Sequence, residues 1–175
     1  MVVLTIHYFL ALLLLASGLH KARDWERIHG VITAYQVVPV VLERTMLWLV
    51  IGVEIATGAG LALGVKSRIP SFGAAIVFAA YFAVIALNLL RGRRGVDCGC
   101  SFSRRTTPLS GLHLVRGALL LMLAVVGASV ELKTTIGWPN ALQIAAAVVC
   151  LALIYLSADT LLGYTRPAVR GGVSI

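Results

Sequence analysis

The stretch Val2–Leu19, VVLTIHYFLALLLLASGL, decides the fold. It holds no Asp, Glu, Lys or Arg. About 20 mostly apolar residues carry an α-helix across a bilayer core. The chain then repeats this pattern at Leu47–Val65, Ser71–Leu90, Leu112–Leu132 and Trp138–Leu162. We therefore expect an all-α polytopic membrane bundle of about five transmembrane helices, in a single integral membrane domain over residues 1–175. Proline suits a first helical turn or a flanking loop and breaks an interior. Pro70 and Pro139 stand at the starts of the third and fifth runs. Pro39 and Pro108 precede the second and fourth, and Pro167 follows the fifth.

Composition agrees. The chain is 59% hydrophobic and only 13% charged, against roughly a quarter charged in soluble domains. The net charge is +8. The cations sit in short segments between apolar runs, the pattern of membrane orientation and lipid headgroup contact. Nucleic acid is not an expected partner; the lipid bilayer is. The first run lacks the preceding basic stretch of a signal peptide, so it reads as a retained span.

Lys and Arg in short loops orient a membrane protein. Eleven lie on one side: Lys21, Arg23, Arg27, Arg44, Arg91, Arg93, Arg94, Arg104, Arg105, Arg166 and Arg170. Three lie on the other, Lys66, Arg68 and Lys133, while Arg116 falls within the fourth run. This predicts an external N-terminus and a cytoplasmic C-terminus, in the inner (cytoplasmic) membrane of a cell. Between His20 and Met46, the residues Trp25, Ile28, Ile32 and Tyr35 recur at helical spacing. That periodicity predicts an amphipathic helix lying in the interface.

The residues that could carry chemistry are few. Asp97-Cys98-Gly99-Cys100-Ser101-Phe102 lies between the third and fourth runs. Two cysteines this close can bridge if their Cα atoms approach within about 4.4–6.8 Å, and Gly99 eases the tight backbone. Strained bridges tend to be labile or catalytic. The flanking arginines favour the reactive thiolate, and Asp97 opposes it locally. The spacing leaves two readings: a thiol–disulfide redox centre, or incidental loop cysteines in a basic anchor. Structural zinc wants four ligands and only His113 stands near in sequence, so no metal is expected.

His113 and Arg116 share a helix face three residues apart, either as interfacial anchors or as groups reaching the thiols. Glu54 sits mid-membrane, a costly position and a functional hypothesis by default. It is expected to be protonated, or paired with His7 or Asn88. Gly60-x-x-x-Gly64, extended back by Ala56, predicts close helix packing. Cys150, deep in the fifth run, reads as a small hydrophobe.

In order along the chain stand Lys21 closing the first run, Tyr35-Gln36-Val37-Val38-Pro39, Glu54 with Gly58 and Gly64, and Cys98-Gly99-Cys100 after the third run. Together these resemble the MauE family, methylamine utilisation membrane proteins related to DoxX. Where the family pattern often continues as Phe-Gly after the second cysteine, this chain reads Ser101-Phe102-Ser103. The resemblance implies maturation of disulfide-rich periplasmic proteins, with the methylamine dehydrogenase light chain as beneficiary, and a thioredoxin-like partner. It does not imply a particular cofactor.

The leading expectation is a membrane thiol–disulfide redox protein. In it Cys98 and Cys100 exchange electrons, Arg116 stabilises thiolate, His113 moves protons and Glu54 shapes the bundle interior. The charge rule puts the cysteines on the cytoplasmic side. That suits a carrier of reducing equivalents or an interfacial loop dipping inward. The alternative is a non-catalytic assembly or scaffold subunit that docks a thioredoxin-like partner. Self-association as a homo-oligomer is left open. A transporter is disfavoured, since no paired broken helices are evident.

Overall fold

The computed structural model describes residues 1–64, 68–92, 111–130 and 138–164, with the backbone alone at 138, 159 and 161–164. Among these residues there are six helices and no strand: α1 (Val2–Arg23), α2 (Trp25–Tyr35), α3 (Val40–Ala62), α4 (Ile69–Leu90), α5 (Gly111–Ser129) and α6 (Trp138–Tyr164). Five of them, all but α2, are long and apolar enough to cross a membrane.

The apolar runs give these spans to within a few residues at most ends. Two ends differ substantially. The first helix continues beyond Leu19 to Arg23, because nothing at His20-Lys21-Ala22 breaks it. The third begins at Val40, directly after Pro39, rather than at Leu47. Proline cannot continue a preceding helix but sets the backbone for a new one. The expected ends at Val65 and Leu132 lie outside the described residues.

Helix α1 is the hub and touches each of the other five helices. Nearly half of its span is buried in the protein, whereas α6 is only 11% buried and lies at the periphery. The main core gathers Phe9, Leu10 and Leu14 of α1, Leu61 of α3, Val77 and Phe78 of α4, and Leu120 and Ala124 of α5. Large apolar side chains such as Leu12, Trp48, Phe72, Leu119 and Leu153 face outward. In a bilayer that costs nothing, since lipid tails are as apolar as leucine.

Close approach of α1 to α3 depends on glycine. A Cβ at Gly58 would lie 2.9 Å from Leu15 Cγ and 3.2 Å from the Ala11 carbonyl oxygen. One at Gly18 would lie 2.8 Å from Ile55 Cγ1. The expected Gly60–Gly64 packing stripe is corrected here. Gly60 is a contact, but against Pro70 of α4. Gly64 has φ +62 and meets nothing within 4 Å of its Cβ position; it ends the helix instead of packing it.

The amphipathic segment is helical as predicted. Ile28 and Val31 are buried, and Ile28 packs with Leu47 and Ile51 of α3, with Ile32 and Ala22 alongside. Trp25 stays exposed. A polar tie reinforces the packing: Thr33 Oγ1 donates to Glu43 Oε2 at 2.6 Å, and His29 Nε2 lies 3.9 Å from the same oxygen. Helix α2 ends at Gln36, whose φ of +48 is left-handed. The chain then turns through Val37-Val38-Pro39 into α3.

Candidate functional site

The polar centre of the bundle is built on Glu54, which is wholly buried on α3. Its Oε1 accepts three hydrogen bonds: from Lys21 Nζ at 2.5 Å, from Ser17 Oγ at 3.0 Å and from Tyr81 Oη at 2.5 Å. Ser17 and Lys21 stand one turn apart on α1, and Tyr81 comes from α4. The glycines described above let Glu54 come this near: Gly18, whose missing Cβ would sit 3.4 Å from Glu54 Cβ, lies between Ser17 and Lys21 in sequence.

The hydrogen-bond arithmetic assigns the charge of Lys21. Lys21 Nζ also donates to Ser17 Oγ at 2.8 Å and to Tyr81 Oη at 2.8 Å. An ammonium has three protons to donate and a neutral amine has two. Nζ has three acceptors here, while the single protons of Ser17 and Tyr81 go to Oε1. Every donor is placed when Lys21 is an ammonium, and Glu54 Oε1 acts only as an acceptor. The ammonium also lies 4.7 Å from the Tyr81 ring centroid, within cation–π range.

A buried charge paired this closely offsets part of the desolvation cost that an isolated charge could not. The expected partners of Glu54 are therefore corrected. His7 bonds the Val3 carbonyl at 2.8 Å and Ser71 Oγ at 3.0 Å, and Asn88 Nδ2 donates to the Val84 carbonyl at 2.9 Å. Lys21, expected among the headgroup-facing cations, is 4% exposed and points into the protein.

A cavity of about 50 Å³ adjoins this cluster. Ser17, Glu54 and Tyr81 line it from α1, α3 and α4, while His113, Arg116 and Tyr155 line it from α5 and α6. His113 is buried, and the Arg116 guanidinium lies 4.7 Å from the Tyr155 ring centroid. The two α5 residues singled out in the sequence thus share one cavity with Glu54. Cys98 and Cys100 lie outside the described residues, in the segment joining α4 to α5. Cys150 is a free thiol on the exposed surface of α6, turned outward rather than packed. No group of His, Cys, Asp and Glu able to hold a metal occurs among the described residues.

Sequence reasoning did not find Ser17, Tyr81 and Tyr155, and it misplaced Lys21. One signal was available. Ser17 and Lys21 are four apart on one helical face, and the helix begun by the charge-free run continues through Lys21 without a break. A lysine on that face can turn inward to meet a carboxylate in a neighbouring span.

The family model described as methylamine utilisation protein MauE matches residues 1–130, which include Lys21, Glu54, Cys98, Cys100, His113 and Arg116. The chain belongs to the MauE family. It is 34% identical over 168 residues to a methylamine utilization protein MauE of Paracoccus denitrificans, covering 93% of this chain and 88% of that one. A MauE protein of Methylophilus methylotrophus is 31% identical over 171 residues, covering 95% and 88%. One from Paracoccus versutus is 30% identical over 117 residues, covering 67% and 63%. No solved structure matches the chain. The MauE match ends at residue 130, so it takes in the first four spans and leaves out the peripheral α6.

Proposed function

We propose that this protein is a thiol–disulfide redox protein of the inner membrane that supports maturation of exported disulfide-containing proteins in methylamine utilisation, as for the methylamine dehydrogenase light chain. The observation that carries the reading is the convergence of His113 and Arg116 on the cavity beside Glu54. These two residues begin the span that follows Cys98-Gly99-Cys100. The relatives' names supply the metabolic setting.

The chemistry is an exchange with a thioredoxin-like protein. The thiolate of one cysteine attacks the partner's disulfide, forming a mixed disulfide and releasing one partner thiolate. The second cysteine attacks the mixed disulfide and releases the other. Two electrons and two protons pass to the partner, which becomes a dithiol as Cys98 and Cys100 become a disulfide. The reverse direction uses the same steps. Arg116 stabilises thiolate and His113 moves protons in this scheme, with the C-terminus in the cytoplasm.

Thiol trapping of Cys98 and Cys100 in native membranes tests the reading. The expected result is a reversible disulfide whose loss, in the Cys98→Ser/Cys100→Ser variant, abolishes function. Full function of that variant would establish the scaffold role instead.

A further inference from the structure

The two carboxylate oxygens of Glu54 differ sharply. Oε1 holds three donors, from Lys21, Ser17 and Tyr81. Oε2 is equally buried and accepts no hydrogen bond from any described residue. A buried carboxylate oxygen left in this condition is costly, and each such atom in a native fold calls for an explanation. Glu54 also lines the cavity that reaches His113 and Arg116.

We infer that this cavity is a water-filled proton path, with Glu54 Oε2 as its inner terminus and His113 at its other end. Its size permits this. Water occupies about 30 Å³ in the liquid, and a buried site holding it needs two to four polar partners. The cavity measures about 50 Å³, and the residues that line it include the polar Glu54, His113, Arg116, Ser17, Tyr81 and Tyr155.

The asymmetry of Glu54 gives the path its function. A proton can be added at Oε2 while Oε1 keeps all three of its bonds, so the carboxyl can cycle without dismantling the ion-pair cluster that joins α1, α3 and α4. Among the described residues, Lys21 from α1, Tyr81 from α4, His113 and Arg116 from α5 and Tyr155 from α6 are the titratable and charged groups around it. Lys21 and Arg116 resist accumulation of positive charge in the cavity, which keeps the added proton transient. In a thiol exchange the attacking thiol must give up a proton and the leaving thiolate must regain one. A store at Oε2, filled through His113 and emptied the same way, would balance both steps with no net proton consumed. That use rests on the redox reading; the path itself does not.

The test is infrared difference spectroscopy of the full-length Cys98→Ser/Cys100→Ser protein in lipid nanodiscs during a stepwise fall in pH. Because this variant cannot cycle, failure of the redox reading leaves the result intact. A protonated-carboxyl stretch is expected that shifts in heavy water and is lost in Glu54→Gln. His113→Gln should change the pH dependence of that band, since His113 lines the same cavity. If Glu54→Gln fails to fold, ¹³C-glutamate labelling separates the band from those of aspartates, and its response to His113→Gln separates Glu54 from Glu26, Glu43 and Glu131. Absence of any glutamate carboxyl band beyond those that persist in Glu54→Gln, over the pH range in which the protein stays folded, would overturn the inference. So would a band indifferent to His113→Gln.

Discussion

Lys21 Nζ and Glu54 Oε1 stand 2.5 Å apart inside the bundle, with side chains 5% and 0% exposed. They join the first membrane helix to the third, and Tyr81 Oη, donating to that same oxygen, draws in the fourth. A chain with this little charge has placed a full ion pair where its desolvation is greatest, which makes the pair the natural first target for mutation.

Removing one partner of a buried pair leaves an uncompensated charge and costs about 3–5 kcal/mol, whereas replacing both by apolar residues is often neutral. Lys21→Met and Glu54→Leu should each lower the detergent unfolding midpoint markedly. The double variant should recover most of the loss. Glu54→Gln should be milder than Glu54→Leu, because an amide oxygen still accepts from Ser17 and Tyr81. Equal midpoints for Gln and Leu would show that Oε1 does not hold the helices together.

The contact between α1 and α3 gives a second prediction. At Gly58 an added Cβ would meet Leu15 N at 3.1 Å and the Ala11 carbonyl oxygen at 3.2 Å, both backbone atoms that cannot rotate away. Gly58→Ala should therefore destabilise by about 1–3 kcal/mol, the usual cost of overpacking. Gly52, on the same helix, has nothing within 4 Å. Gly52→Ala should be neutral or stabilising by up to about 1 kcal/mol. Thermal unfolding in one detergent compares the two directly.

Orientation is open to a simple reporter experiment. With Lys21 turned inward, the basic side still carries ten of the cations assigned to it against three opposite. A reporter fused after Ile175 should read as cytoplasmic. Activity confined to the exterior would reverse the bundle and move the cysteine segment to the other face.

The fold was legible because a membrane span is a property of one segment alone: composition over about 20 residues decides it. The amphipathic α2 was legible for a similar reason, since Ile28 and Ile32 declare their face by spacing. The site was only half legible. Glu54, His113 and Arg116 stood out because an ionisable group near or within an apolar run is costly wherever it points. Their partners did not stand out. Tyr81 resembles any aromatic in a span until α4 is set against α3. Lys21 resembles any cation at a helix end until Gly18 and Gly58 let the two helices close. Pairings between spans are tertiary facts, and no periodicity in a single helix reports them.

The last prediction concerns which cysteine attacks. Cys98 follows Asp97 directly, and a carboxylate beside a thiol disfavours its thiolate; Cys100 has Ser101 as its next neighbour and Arg104 and Arg105 further on. Cations lower a thiol's pKa from the free value of about 8.5, so Cys100 should be the nucleophile and Cys98 the resolving thiol. Cys150 is a third thiol in the chain, so the measurement belongs in a Cys150→Ala background, which should retain full function. In that background, each single-cysteine variant is alkylated across pH. Cys100 should react at lower pH than Cys98. Exchange passes through a mixed disulfide, so Cys98→Ser should trap a covalent complex with a thioredoxin-like protein on a non-reducing gel, while Cys100→Ser should not. Trapping by Cys100→Ser alone would exchange the two roles. Trapping by neither, with function intact, would remove both cysteines from the mechanism.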